Sequence, residues 1–195
     1  MLDLVYYTLN LYKKIEMFKK LTMSKLVILM TIFISVFSFS KDFWEKRNFT
    51  VNVTEDVTIN GQNRSKRYIM SYNSGTLKLQ ITAPSVNRGE IYTFSGNTKT
   101  VYYPSLKQTV KQKVEKDEAN ILAVFNKIAR INGKKTQTKN GDTFHFSGNW
   151  LTSITSKGYT VNFSDYKLSN GYYFPTKISV KDGNSQVIYR LSNFK

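Results

Sequence analysis

The sequence predicts a mainly β fold of the α+β class, a curved antiparallel sheet covered by one amphipathic helix. Three observations carry that expectation. Apolar and polar residues alternate along many short stretches, which is the two-residue period of a strand with one buried face. Asn-Gly pairs and lone glycines separate those stretches, because tight turns need residues that accept positive φ cheaply. One stretch alone, residues 116–132, switches to helical spacing. The chain has 195 residues, 14% of them aromatic, enough for one domain with a substantial core.

The first element is an export signal. Residues 26–39 read LVILMTIFISVFSF, fourteen residues without a charge. A spanning helix needs ~20 apolar residues, so this stretch fits the apolar region of a secretory signal. Lys25 and the lysines before it form the positive flank, and Ser38 and Ser40 are the small residues that precede a cut between Ser40 and Lys41. The expected organisation is a signal peptide over residues 1–40 and a single domain over 41–195. Met17 and Met23 would each make a normal start, so residues 1–22 read as an over-extended beginning. An uncleaved anchor is the alternative. No Cys stands at the cut, so the product is not itself a lipoprotein.

Residues 41–48, KDFWEKRN, suit a helical turn or two with Phe43 and Trp44 packed inward. Phe49, Val51, Val53, Val57 and Ile59 then alternate with polar residues as a long first strand. Glu55 interrupts its apolar face, which suggests a bulge or the sheet's rim. Asn60-Gly61 is a strong hairpin turn, and residues 66–72 return with Tyr68 and Met70 on one face. From Thr76 to Val114 three or four antiparallel strands follow, their apolar sides marked by Leu77, Leu79 and Ile81, by Ile91, Tyr92 and Phe94, and by Val101, Tyr102 and Tyr103. The helix over 116–132 has Asp117 as N-cap, Arg130 near its end and Gly133 after it. Residues 143–147, 151–155, 159–163, 172–180 and 186–194 read as five more strands, for about ten in all.

Composition excludes much chemistry. There is no Cys and a single His, His145, so disulfides, thiolate nucleophiles and His- or Cys-based metal clusters fall away. Ser105 and Ser147 have only that one imidazole as a possible base, and His145 alternates with Phe144 and Phe146, which places it on the outer face or rim. The acids Asp42, Glu45, Glu55, Asp56, Glu90, Asp142, Asp165 and Asp182 are dispersed with no pairing motif. No nucleotide, dinucleotide or nucleophile-elbow motif occurs. The expectation is a protein that is not an enzyme and holds no cofactor.

The formal net charge of +16 leaves about +13 after the five lysines and two acids of residues 1–40 are set aside. Such a charge attracts polyanions and anionic lipid headgroups, but these lysines are scattered singly, as on a solvated surface. A basic, aromatic sheet can also serve as a stacking platform for nucleic acid. The aromatics here follow core alternation and the chain is exported, so no nucleic-acid partner is expected. What remains is a binding scaffold: if the helix packs fully on the sheet the interior is only a core, and if it packs loosely the space holds an apolar ligand.

The order of elements carries a resemblance. Leu77-x-Leu79-x-Ile81-x-x-Pro84 precedes an aromatic strand and a glycine turn, and residues 101–109 then read VYYPSLKQT. After the mid-chain helix come Phe163-Ser164-Asp165-Tyr166 and residues 171–178, GYYFPTKI. Over residues 49–195 this resembles the periplasmic lipoprotein carrier family of LolA, with its relatives of the LolB and RseB type. The resemblance implies an incomplete β-barrel lined with apolar residues and covered by helices. It implies a monomeric periplasmic chaperone that takes acyl chains of lipidated proteins from an inner-membrane releasing transporter and passes them to an outer-membrane receptor. Two departures stand out. The family has a longer helix before its first strand, and an Arg-Pro pair where this chain has Tyr72-Asn73-Ser74-Gly75, so its lid-holding arginine is not carried over.

On this expectation the acyl-chain lining is Leu79, Ile81, Tyr92, Phe94, Val101, Tyr103, Phe144, Phe146, Val161, Phe163 and Phe174, with the inward parity open on each strand. Ile121, Leu122, Phe125 and Ile128 would form the inner face of the lid. Ordinary core is the competing role for every one of them. Two rival functions share the fold: an RseB-like sensor or regulatory module, and a secreted β protein with no small ligand.

Overall fold

The computed structural model describes residues 40–114 and 120–195. Two meanders make up the sheet. After the short β1 (Lys41–Asp42), the first runs through β2 (Asn48–Ile59), β3 (Gln62–Asn73), β4 (Thr76–Ala83), β5 (Ile91–Ser95), β6 (Thr98–Tyr103) and β7 (Gln108–Lys113). The second holds β8 (Gln137–Lys139), β9 (Asp142–Ser147), β10 (Trp150–Ser156), β11 (Tyr159–Ser169), β12 (Tyr172–Asp182) and β13 (Ser185–Ser192), with helix α1 (Asn120–Ile128) between the two. The order across the sheet is β7-β6-β5-β4-β3-β2-β13-β12-β11-β10-β9-β8. Neighbours along this path are antiparallel, and β1 adds to β12 in parallel. The meanders join where β13 pairs with β2, from Ser185 opposite Ile59 to Ser192 opposite Asn52. The result is a curved, open sheet, an incomplete barrel whose free edges are β7 and β8. The chain passes from one edge to the other through α1.

Local chemistry explains the hairpins. Asn60 and Gly61 both adopt positive φ, 50° and 79°, as do Asn170 and Gly171 at 50° and 77°. Two successive positive values give the turn whose twist matches that of the strands it joins. Alternation then sorts the faces. Val51, Val53, Tyr68, Met70, Leu77, Leu79 and Ile81 are buried, while Asn52, Ile69, Lys78 and Gln80 between them are exposed. Helix α1 adds Ile121, Leu122, Val124, Phe125 and Ile128 to the same apolar cluster. Each such side chain contributes ~1.5–3 kcal/mol by leaving water.

Several expectations change. Among the described residues thirteen strands stand in place of about ten, because β1, β7 and β8 carry no apolar alternation that marks them. Residues 41–48 form β1 and a single 3-10 turn, Phe43–Glu45. The described helix is shorter than 116–132: past Ile128, the Arg130 and Ile131 amides bond to Lys127 and Ile128 carbonyls in tightened turns. The proposed N-cap at Asp117 and the signal peptide lie outside the described residues. No bulge marks Glu55, which pairs in unbroken register with Lys66 and Tyr189. Its carboxylate is accommodated on the inner side because Tyr68 Oη donates to Glu55 Oε2 at 2.7 Å. Strand β11 runs six residues beyond residue 163, continuing through Asp165 at a φ of 58°.

Candidate functional cleft

A cleft of ≈ 640 Å³ opens between the Phe43–Glu45 turn, the start of β2, the β3–β4 turn and the second half of α1. Phe49 from β2, Tyr72 from β3 and Phe125 from α1 meet at its floor, ring centroids 5.2–5.5 Å apart. Ile128 and Ile131 extend the apolar wall. The sequence places these rings by simple periodicity. Phe49 and Tyr72 are opposite one another across β2 and β3, and Phe125 occupies the inner face of the helix. Phe43 is buried behind the turn against Trp44, Phe163 and Tyr166.

The rim is charged. Lys46, Arg47 and Lys134 are cationic, and Asp42 and Glu45 are anionic. Asp42 is almost fully buried, its side chain 4% exposed, and its Oδ2 lies 2.7 Å from Lys134 Nζ. That oxygen makes no further hydrogen bond, so the ion pair alone offsets its desolvation. The pair ties the loop after α1 to the segment that opens the domain, across the mouth of the cleft. Lys46 Nζ lies 5.0 Å from the ring centroids of both Tyr172 and Phe194.

Two polar anchors hold α1 in place. On one flank Lys127 Nζ is 2.7 Å from Asp142 Oδ1 and donates to Ser156 Oγ at 2.7 Å, while Ser156 Oγ donates to Asp142 Oδ1 at 2.6 Å. Lys127 also sits 4.6 Å over the Tyr159 ring. Burial pushes the Asp142 carboxyl up, but the hydrogen bonds from Lys127 and Ser156 outweigh it and hold it below the usual range. For Lys127 burial pushes down, and the bonds to Asp142 and Tyr159 carry it above its ordinary value. On the other flank Tyr72 Oη donates to Asn126 Oδ1 at 3.4 Å. Desolvation raises the Tyr72 phenol, so this donor stays protonated.

All eleven expected lining residues belong to inner-face positions. Leu79, Ile81, Phe94, Val101, Phe144, Val161, Phe163 and Phe174 are buried, and Tyr92, Tyr103 and Phe146 are half-buried. None of the eleven lines the cleft; of the lid residues Phe125 and Ile128 do, and Ile121 and Leu122 lie deeper in the core. Among the cleft residues that sequence reading did not assign to the site are Phe49, Tyr72, Asn126 and Lys134. Phe49 and Tyr72 were legible as apolar positions, but nothing local marks a strand end as a mouth. His145 sits half-buried on the outer parity, Nε2 3.2 Å from Thr155 Oγ1. Ser105 and Ser147 are exposed. Among the described residues no group of three or more His, Asp or Glu side chains gathers as a metal site would require.

Comparison with known proteins agrees with this architecture. Neither a family model nor a curated protein matches the chain. Solved structures do. A LolA superfamily protein from Nitrosomonas europaea is 17% identical with a TM-score of 0.52, covering 81% of this chain and 89% of its own. A DUF1329 family protein from Desulfovibrio piger is 10% identical with a TM-score of 0.50, over 76% and 85%. A putative outer membrane lipoprotein-sorting protein domain from Vibrio parahaemolyticus is 10% identical with a TM-score of 0.50, over 80% and 87%. At these identities the likeness concerns the fold, and the chain has a LolA-like fold.

Proposed function

We propose that this chain is a non-enzymatic, exported carrier that holds the acyl chains of lipidated proteins in the cleft beside α1. One observation carries the reading: a cleft of ≈ 640 Å³ with an aromatic floor and a charged rim opens at the edge of a helix laid on the inner side of an open half-barrel. That volume lies within the ~300–1,000 Å³ typical of small-molecule sites, and its floor is aromatic. The likeness to a lipoprotein-sorting domain supports the same class of ligand. A buried methylene is worth ~0.8 kcal/mol, so a ~16-carbon chain represents roughly 12 kcal/mol of transfer out of water. A carrier for such chains needs a greasy recess and a movable wall, and no chemistry. On this reading the protein works in the periplasm between a releasing transporter and an acceptor at the outer membrane.

The test is lipid and protein mass spectrometry on the mature protein purified from its own periplasm. Acylated proteins or their lipid moieties should co-purify in near-stoichiometric amount. Recovery of neither rejects the carrier reading.

A further inference from the structure

Strand β12 changes partners along its length. From Lys177 to Asp182 it pairs with β13, and at Tyr172 and Tyr173 it pairs with β1. Phe174, Pro175 and Thr176 pair with neither. Pro175 has no N–H to offer a ladder, which suits a position where the sheet forks. A second cleft, of ≈ 700 Å³, lies in this fork. Its Phe174, Leu191 and Phe194 are already buried, so what the cleft offers a ligand is its polar wall.

That wall is cationic. Lys167, Lys177 and Arg190 line it against a single carboxylate, Asp165. Lys177 and Arg190 stand directly opposite one another in the last pair of the β12–β13 ladder. Like charges so placed, ~5 Å apart at the backbone, repel and weaken a sheet. Arg190 Nη1 pairs with Asp56, which does not line the cleft. Among the described residues neither Lys167 nor Lys177 forms an ion pair. Lys167 is opposite Phe174, three residues along β12 from Lys177, which separates the two cationic ends by ~10 Å. Asp165 falls between them, at the kink where Ser164 is opposite Lys177 and Tyr166 opposite Pro175. We propose that the fork is a binding site for a phosphorylated polyol or sugar, with one phosphate at Lys177 and Arg190 and a second at Lys167. Guanidinium and ammonium groups take phosphate oxygens as charge-assisted hydrogen bonds. The Asp165 carboxylate repels a bare polyanion but accepts hydrogen bonds from hydroxyls of a linker between the phosphates. The site is separate from the cleft beside α1 and does not depend on what fills that cleft.

The experiment is calorimetric titration of the mature protein with three probes: mannitol carrying a phosphate on each terminal carbon, hexanediol bisphosphate, which lacks the hydroxyls, and inorganic phosphate. The mannitol probe should bind at least about tenfold more tightly than inorganic phosphate and about threefold or more above the hexanediol one. Lys177→Gln and Lys167→Gln should each weaken it about fivefold or more, while Lys181→Gln, on the same strand but outside the cleft, should stay within about twofold. Asp165→Asn, which tolerates the positive φ there, should narrow the gap between the two bisphosphates. Inorganic phosphate binding as tightly as the mannitol probe, or indifference of that probe to both cleft lysines, overturns the site. Equal affinity for the two bisphosphates in the wild-type protein overturns the polyol ligand. Cardiolipin vesicles, whose headgroup joins two phosphates through a hydroxylated glycerol, separate the sources: displacement of the mannitol probe assigns a lipid headgroup, and its absence a soluble or polymer-borne phosphate.

Discussion

Replacing Asp142 with Asn tests how α1 is held. The substitution keeps the side chain's size and removes the charge that Lys127 faces at 2.7 Å. Charge-assisted hydrogen bonds are worth ~1.5–3 kcal/mol each. The two side chains are 18% and 10% exposed, so solvent screens part of the interaction. Lys127 also keeps its contact with the Tyr159 ring, worth ~0.5–1 kcal/mol. The expected loss is therefore about 1.5–3 kcal/mol, which for a domain of this size lowers the melting temperature by roughly 3–10 °C. The pH dependence has a definite sign. The folded Asp142 carboxyl titrates below its ordinary value, so its contribution is complete above ~3.9 and is lost as pH falls through the folded value. Lys127 is raised, so its contribution is complete below ~10.4 and is lost as pH rises through the folded value. Melting curves of wild type and variant should differ at pH 7 and converge in acid. Hydrogen exchange at the amides of Val124 to Ile128 should quicken in the variant. Melting temperatures within about 1 °C at pH 7, or a difference that survives unchanged in strong acid, would refute the anchor.

Phe125→Asp places a carboxylate between Phe49 and Tyr72; acyl uptake should disappear while far-ultraviolet circular dichroism keeps its strand signature, and unchanged uptake would show that α1 is no lid. Lys134→Ala strips Asp42 of its ion-pair partner. Because Lys134 is 41% exposed, the cost should be about 1–3 kcal/mol rather than the full penalty for a buried pair, and Asp42→Asn in the same background should restore most of it in denaturant titrations. Tyr68→Phe should cost about 1–3 kcal/mol by leaving Glu55 without its buried donor; a neutral result would mean that water reaches the carboxylate.

The long hairpins were readable because their physics is local. Alternation from Phe49 to Ile59 and from Leu77 to Ile81 fixes which side is buried, and Asn60-Gly61 fixes where the chain reverses. The same holds for α1, whose apolar residues fall on one face of a 3.6-residue period. Strand β7 was not separable from its surroundings, since all six of its residues, Gln108–Lys113, are exposed and carry no alternation. Strand β1 is two residues long and exists only because β12 has a vacant edge for it. The cleft is illegible for a related reason. Phe49 and Tyr72 face each other across one hairpin, but the contact of Phe125 with them and the pairing of Asp42 with Lys134 depend on how the helix and the loop after it lie against distant strands. Glu55 shows the opposite failure: a charge on an apolar face suggests an irregular backbone, yet a tyrosine on the neighbouring strand suffices to keep it regular.

If the protein is the acyl-chain carrier proposed above, two hydrophobic terms make α1 a workable lid. Five side chains of α1 are buried against the sheet, together worth about 8–15 kcal/mol of removal from water. A ~16-carbon chain brings roughly 12 kcal/mol. The two are near enough that a chain can displace part of the helix's contact without a source of chemical energy, and can itself be displaced by an acceptor. Neither term sets where the helix returns. That is the role of the polar contacts, Lys127 with Asp142 on one flank and Asn126 with Tyr72 on the other, which are directional where apolar packing is not. A lid held by packing alone would settle in many registers over the sheet. One held by these two anchors can yield to a ligand and close again in the same place, so removing either anchor should blur ligand selectivity before it abolishes binding.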